Sequence, residues 1–208
     1  MNTFGKDYWE SHWRDAGERA GDRQVPPNPY LETELAGLAP GTVLDAGCGE
    51  GAEAIWLATH GWQVAAADIS AEALERAAAR ADAAGAAAVE WVEADLSVWQ
   101  PTERFDLVTT FYAHPAMPQL AFYERIAGWV APGGALLIVG HLHAPGSEHG
   151  HGDHPPAEAS VNAASTRAVL DPAHWRVETA DEHDRTLGDQ TGGPVSLRDV
   201  VVRATRRA

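Results

Sequence analysis

The segment Val43-Leu44-Asp45-Ala46-Gly47-Cys48-Gly49-Glu50-Gly51 constrains this chain more than any other. A short β-branched and apolar run at Thr42–Leu44 ends in an acidic residue, and three glycines on alternate positions lead into an apolar helical pattern from Ala52. Strand, tight turn and helix start therefore follow one another without a break. Glycine at 47, 49 and 51 frees the backbone to take positive φ and leaves no Cβ in the way of a ligand. The helix behind the turn presents unpaired N–H groups. Together these features predict a turn built to hold a ligand that contains a nucleoside.

The turn alone leaves more than one reading open. Gly47-x-Gly49-x-x-Ala52 also fits the dinucleotide fingerprint, which would make the chain a nicotinamide- or flavin-dependent oxidoreductase. Two details point elsewhere: the third glycine falls at 51, and Asp45 stands two positions before the first. A carboxylate there does little for a pyrophosphate but attracts a ligand carrying an ammonium group and a sulfonium charge. The pattern acidic-x-Gly-x-Gly-x-Gly resembles motif I of the class I S-adenosylmethionine-dependent methyltransferases.

Further landmarks of that family follow in order. Gln63–Ala67 reads as a second strand closed by Asp68-Ile69-Ser70, and the resemblance implies that Asp68 accepts hydrogen bonds from ribose hydroxyls. Trp91–Leu96 reads as a third strand carrying Asp95, which in the family faces the adenine amino group. Phe105–Phe111 is a fourth strand with the family's Phe-Asp-Leu-Val opening, and Ala131-Pro132-Gly133-Gly134 before Ala135–Val139 resembles the start of a fifth. The resemblance implies S-adenosyl-L-methionine as cofactor, with S-adenosyl-L-homocysteine as product. It sets Asp45, Gly47, Cys48, Gly49, Asp68, Ile69, Asp95, Leu96, Thr110 and Phe111 against that cofactor.

Strands alternating with helices predict an α/β fold: a mostly parallel sheet with right-handed crossovers and helices on both faces. Helices are expected at Tyr8–Ala16, Pro29–Gly37 with Asn28 as N-cap, Ala52–His60, Ser70–Ala84 and Pro118–Val130. After Pro172 the pattern alternates at Trp175–Thr179 and Leu197–Arg203, joined through residues 188–194. This resembles the antiparallel pair that closes a Rossmann-like, doubly wound, seven-stranded methyltransferase sheet with one antiparallel strand. Ligands in such sheets bind beyond the carboxyl ends of the strands, where Asp45, Asp68, Asp95 and Thr110–His114 all fall. Residues 1–208 read as one domain, with 1–38 as a helical cap and 141–160 as a loop rich in His, Gly and Pro.

Methyl transfer from a sulfonium needs alignment and exclusion of water more than it needs a catalyst. His114 and Tyr112, just past the fourth strand, are the candidate catalytic residues: His114 to take a proton from the nucleophile, Tyr112 to shape the pocket. Trp9, Trp13 and Tyr30 are expected on the substrate side, within an N-terminal region that resembles small bacterial methyltransferases of the thiopurine and tellurite-resistance type. His141 and His143 are expected there too. They open a stretch with His149, His151 and His154, so that five of the ten histidines fall within fourteen residues. That run could make a zinc or nickel site. A lid over the acceptor is the expectation instead, since the chemistry asks for no metal.

Composition narrows the partners. A formal charge of −15 repels phosphate backbones and anionic membranes, and Arg203, Arg206 and Arg207 are too few for a basic stripe. No apolar run approaches the roughly 20 residues needed to span a bilayer, and the first residues lack a signal-peptide pattern. The single cysteine excludes an intramolecular disulfide. A cytoplasmic enzyme acting on a small molecule is expected. Phe111-Tyr112-Ala113-His114 stands where amino-methylating enzymes carry Asn/Asp-Pro-Pro-aromatic, which argues against adenine or glutamine acceptors. A non-catalytic S-adenosylmethionine binder remains an alternative. The sequence names neither the acceptor nor the oligomeric state.

Overall fold

The computed structural model describes residues 4–20, 26–142, 161–187 and 195–208. Two helices come first, α1 (Lys6–Ala20) and α2 (Tyr30–Glu34). Then β1 (Thr42–Ala46), α3 (Ala52–Thr59), β2 (Gln63–Asp68), α4 (Ala71–Ala83) and β3 (Glu90–Glu93) alternate. β4 (Phe105–Phe111), α5 (Gln119–Ala127), β5 (Val130–His141), α6 (Ala163–Ala168), β6 (Trp175–Leu187) and β7 (Val195–Arg206) complete the chain.

Seven strands form one sheet in the order β3-β2-β1-β4-β5-β7-β6. β1 pairs in parallel with both β2 and β4, so the winding direction reverses at β1. β7 is antiparallel to β5 and to β6 and is the one reversed strand. A short β6–β7 connection forces that reversal, because only antiparallel neighbours can be joined by a tight hairpin.

Both faces of the central strands are buried, which explains their near-continuous apolar runs. Leu44, Val108, Leu136 and Ile138 point to one side, against Phe122, Tyr123 and Ile126 of α5. Val43, Leu107, Leu137 and Val139 point to the other, against Leu31, Leu57 and Leu74 of α2, α3 and α4. The period of two along each strand assigns the side chains to these two cores.

Several boundaries move from expectation. α2 ends at Glu34 and begins at Tyr30, with Pro29 rather than Asn28 at the N-cap position, while Asn28 Oδ1 accepts from the Tyr30 N–H at 3.1 Å. α5 stops at Ala127, and β5 starts at Val130 rather than Ala135. A register shift between Phe105 and Leu107 absorbs the Ala131–Gly134 kink and lets the strand begin early. β3 ends at Glu93, which leaves Asp95 two residues past the strand. α6 was not expected, yet it carries a local signal: Asn162 and Ser165 form a reciprocal capping box.

Candidate active site

The glycine turn follows from its neighbours. Gly47, Gly49 and Gly51 all have positive φ (84°, 50° and 79°). The Gly47 and Cys48 N–H groups both donate to Ala67 O, which folds the turn back over β2. A Cβ on Gly49 would lie 2.7 Å from the Trp13 ring, and one on Gly47 would lie 2.3 Å from Ala113 Cβ. The close approach here is thus partly to the protein's own lid and to the loop after β4.

A cavity of about 540 Å³ opens at this turn, at the carboxyl ends of β1, β2 and β4. Of the residues expected at a cofactor, Gly47, Cys48, Gly49, Asp68, Ile69, Asp95, Leu96 and Phe111 line it. Asp68 Oδ2 accepts from the Gly49 N–H at 2.8 Å, and its Oδ1 from the Ser70 N–H at 2.9 Å. Burial raises its pKa despite these bonds. Asp95 Oδ1 accepts from Ser97 N and Oγ.

Asp45 and Thr110 stand behind the wall instead. Thr110 Oγ1 donates to Ala46 O, and Thr109 Oγ1 donates to Asp45 Oδ1 at 3.1 Å. Asp45 is 1% exposed, and its Oδ2 has no hydrogen-bond partner among the described residues. Burial pushes its pKa well up, the nearby charge of Glu53 adds to this, and Asp68 contributes less. Glu53, which does line the cavity, is raised by burial as well.

The rest of the lining is largely aromatic: Trp9, Trp13, Tyr112, His114 and His141, together with Phe4 and Tyr8. α1 is fastened over the opening by Glu10, whose Oε1 accepts from the Ala71 N–H at 2.9 Å at the start of α4. Trp9 Nε1 donates to His114 O, and Arg76 donates to Trp13 O. His143, and with it His149, His151 and His154, lies outside the described residues. Among the described residues no group of three or more His, Cys, Asp or Glu could hold a metal.

Tyr112 is the only non-glycine with positive φ among the described residues (54°), a conformation that costs about 1–3 kcal/mol. Three segments hold it there through its hydroxyl. It donates to Asp199 Oδ1 at 2.9 Å and accepts from Arg185 Nη2 at 2.8 Å and Asn28 Nδ2 at 3.2 Å. Burial, then the charge of Asp199, raises its pKa, so the phenol stays protonated. Tyr30, expected on the substrate side, does not line the cavity. Its hydroxyl donates to Asp199 Oδ2, and burial followed by Asp199 raises its pKa to about 12. Asp199 is fully buried and also accepts from Arg185 Nε at 2.5 Å.

His114 is 8% exposed. Its Nδ1 lies 3.1 Å from Gln119 Oε1, while Nε2 has no hydrogen-bond partner among the described residues. Burial lowers its pKa, which favours the neutral ring. A neutral imidazole with a free nitrogen beside a cavity can accept a proton.

As site residues, Asp199, Arg185, Glu53 and Gln119 escaped the sequence reading, and Asn28 was read only as a helix cap. Asp199 alone left a trace, as an acid interrupting the apolar run of β7 before Val200–Val202.

Residues 43–134 match a family model described as a methyltransferase domain. That match, with the relatives below, supports a class I S-adenosylmethionine-dependent methyltransferase. A relative from Arabidopsis thaliana named "Probable thiol methyltransferase 2" is 28% identical over 198 residues, covering 92% of this chain and 84% of that one. A structure solved for work on conversion of a disulfide bond into a thioacetal group during echinomycin biosynthesis superposes with TM-score 0.71. It is 25% identical and covers 97% of this chain and 91% of that chain. TehB from Haemophilus influenzae shares the fold, with TM-score 0.70 and 14% identity over 94% of this chain and 67% of its own.

Proposed function

We propose that this chain binds S-adenosylmethionine in the cavity and methylates a small thiol or hydroxyl acceptor, with His114 Nε2 taking the acceptor's proton. The observation that carries the reading is that nitrogen: buried, on a neutral ring, beside the cavity and unpartnered among the described residues. The donor set suits an adenosyl sulfonium, because carboxylates at 68 and 95 flank a glycine turn and Asp45 keeps a buried oxygen unpaired beneath it. A volume of about 540 Å³ is of the size that small-ligand sites occupy.

When bound, the cofactor supplies a methyl group already activated on a positive sulfur, whose bond breaks with its electron pair returning to that sulfur. Asp68 binds ribose hydroxyls and Asp95 the adenine amino group, while the carboxylates of Asp45 and Glu53 favour the positive end. Phe111 and Leu96 cover the apolar faces. α1, with Trp9 and Trp13, excludes water. His114 removes the acceptor proton as the acceptor's sulfur or oxygen forms its bond to carbon, and Tyr112 and His141 bound the acceptor's position. Residues 1–38 act as the cap of a single domain. A formal charge of −15 supports small acceptors over nucleic acid, and we place the protein in the cytoplasm. Among the described residues no helix is long and apolar enough to cross a membrane.

The thiol acceptor of the Arabidopsis relative motivates the test. Release of S-adenosylhomocysteine is followed with phenylmethanethiol, whose S–H is largely intact at neutral pH because alkyl thiols ionise near 8.5. Acceptor-dependent release is expected, and His114→Ala lowers kcat by about 10²-fold or more with cofactor affinity retained. Full activity in His114→Ala removes the proton-acceptor role. Binding without turnover of any thiol or alcohol would leave a non-catalytic binder.

A further inference from the structure

The first residue of α5 is a glutamine with 3% exposure, and its side chain folds back under the loop that carries His114. Gln119 Nε2 donates to Ala113 O at 2.9 Å. A carbonyl can only accept, so the amide cannot be turned the other way without setting oxygen against oxygen. Tyr123 is buried on the same helix, one turn further on. With the amide held that way, Gln119 Oε1 is left to face His114 Nδ1 at 3.1 Å. An amide oxygen can only accept, so Nδ1 must carry the proton. In a neutral ring Nε2 is then bare, and Nε2 is the atom without a partner among the described residues.

We propose that Gln119 is a positioning residue that holds His114 as the Nδ1–H tautomer and leaves the Nε2 lone pair bare at the cavity wall. This rests on the reading of His114 as proton acceptor. In the step, the acceptor's S–H bond breaks and its proton joins Nε2. The sulfur pair forms the new bond to the methyl carbon, and the Nδ1–H stays bonded to Gln119 while the ring is cationic. The proton afterwards leaves to water. Among the described residues the ring lies near Phe4 (ring centroids 6.0 Å apart), His141 at the end of β5 (5.9 Å) and Gln119 from α5, with Trp9 on the backbone carbonyl. The titratable ones are His141, Tyr112 in the same loop, and Tyr123 on α5. Outer partners that orient a functional imidazole are worth about 10–100-fold in other sites.

The test uses the whole chain with S-adenosylhomocysteine as probe. Nitrogen-15 NMR of the histidine rings, with His114 assigned by comparison with His114→Gln, is expected to show Nδ1 protonated above pH 7. An Nε2-protonated ring overturns the proposal, independently of any turnover. Gln119→Leu keeps the bulk and removes the acceptor. With phenylmethanethiol it is expected to lower kcat about tenfold or more while the KM for S-adenosylmethionine stays within about twofold. Gln119→Glu keeps an acceptor for Nδ1 and adds a negative charge but loses the donation to Ala113 O, so kcat is expected between those of the parent and Gln119→Leu, with the acid limb of the kcat/KM profile moved to higher pH. Unchanged kcat in Gln119→Leu together with an unmoved profile in Gln119→Glu would contradict it. If His114→Ala is fully active while the tautomer is as expected, the base reading fails and the positioning contact stands as structure only.

Discussion

The two walls of the cavity are built on opposite plans. On the β1–β3 side the surface is backbone and carboxylate, and nearly every group comes from a strand end or the turn that follows it. On the β4–β7 side it is aromatic, and one largely buried cluster, Tyr112–Asp199–Arg185–Tyr30–Asn28, gathers groups from four separate stretches of chain. The first wall owes its shape to local geometry and its charge to burial. The second owes its shape to mutual satisfaction of buried polar groups, so it fails as a unit. In the proposed function, such a division would place the cofactor on the first side and leave acceptor choice to the second.

The sharpest way to break this comparison is Asp199→Ala. It leaves Arg185 facing a buried hydroxyl cluster without its charge partner, which typically costs about 3–5 kcal/mol. Arg185 is 23% exposed, so the low end, about 3 kcal/mol, is expected in urea unfolding. Stability equal to the parent would show that the cluster is not cooperative.

Asp68→Ala attacks the other wall. Two charge-assisted bonds to the Gly49 and Ser70 N–H groups disappear, each worth about 1.5 kcal/mol. Calorimetry is expected to find S-adenosylhomocysteine bound about 10²-fold more weakly, with the acceptor KM little changed. Equal losses in both constants would mean that the walls are not independent.

Tyr112→Phe separates shape from chemistry. Its phenol is held protonated by burial and Asp199, so it is no base at neutral pH. Removing the hydroxyl is expected to cost about 1–1.5 kcal/mol of stability while turnover stays within a few-fold. A collapse of turnover in a folded variant would return a chemical role to Tyr112.

Asp45→Asn has the smallest expected effect, and its sign follows from burial. The folded pKa lies above the ordinary 3.8, so the native state binds more protons than the unfolded one between those values. Stability conferred by Asp45 is therefore greatest in acid and is lost as pH rises through that window. Asparagine removes the slope. Tm at pH 7 is expected to rise by about 2–4 °C, the equivalent of about 1 kcal/mol at this size, while S-adenosylhomocysteine binds more weakly. A lower Tm at pH 7 with unchanged behaviour at pH 4 would reverse the assignment.

The contrast between the walls also explains what could be read from the sequence. The glycine turn, Asp68, Asp95 and the strand ends are local features, legible because a turn and the strand before it share the same few residues. Trp9 and Trp13 were legible as one face of α1, four residues apart, and both reach the cavity. Asp199 and Arg185 were not, because their meeting depends on the register of β6 against β7 and of β7 against β5, set over a dozen residues. Tyr30 was expected to face the acceptor but serves Asp199 behind the wall, a choice made by the return of β7 and invisible in α2 itself. Gln119 looked like an ordinary helix start. Only the path of the loop from Ala113 to Pro118 brings it under His114.

The proposed function requires one cavity to grip an adenosyl ligand at its acidic wall. Titrating the folded protein with S-adenosylhomocysteine in a calorimeter tests this most directly. Saturable uptake of one molecule per chain, abolished or strongly weakened in Asp68→Ala, is the predicted result; no heat of binding to protein with an intact melting transition would contradict it.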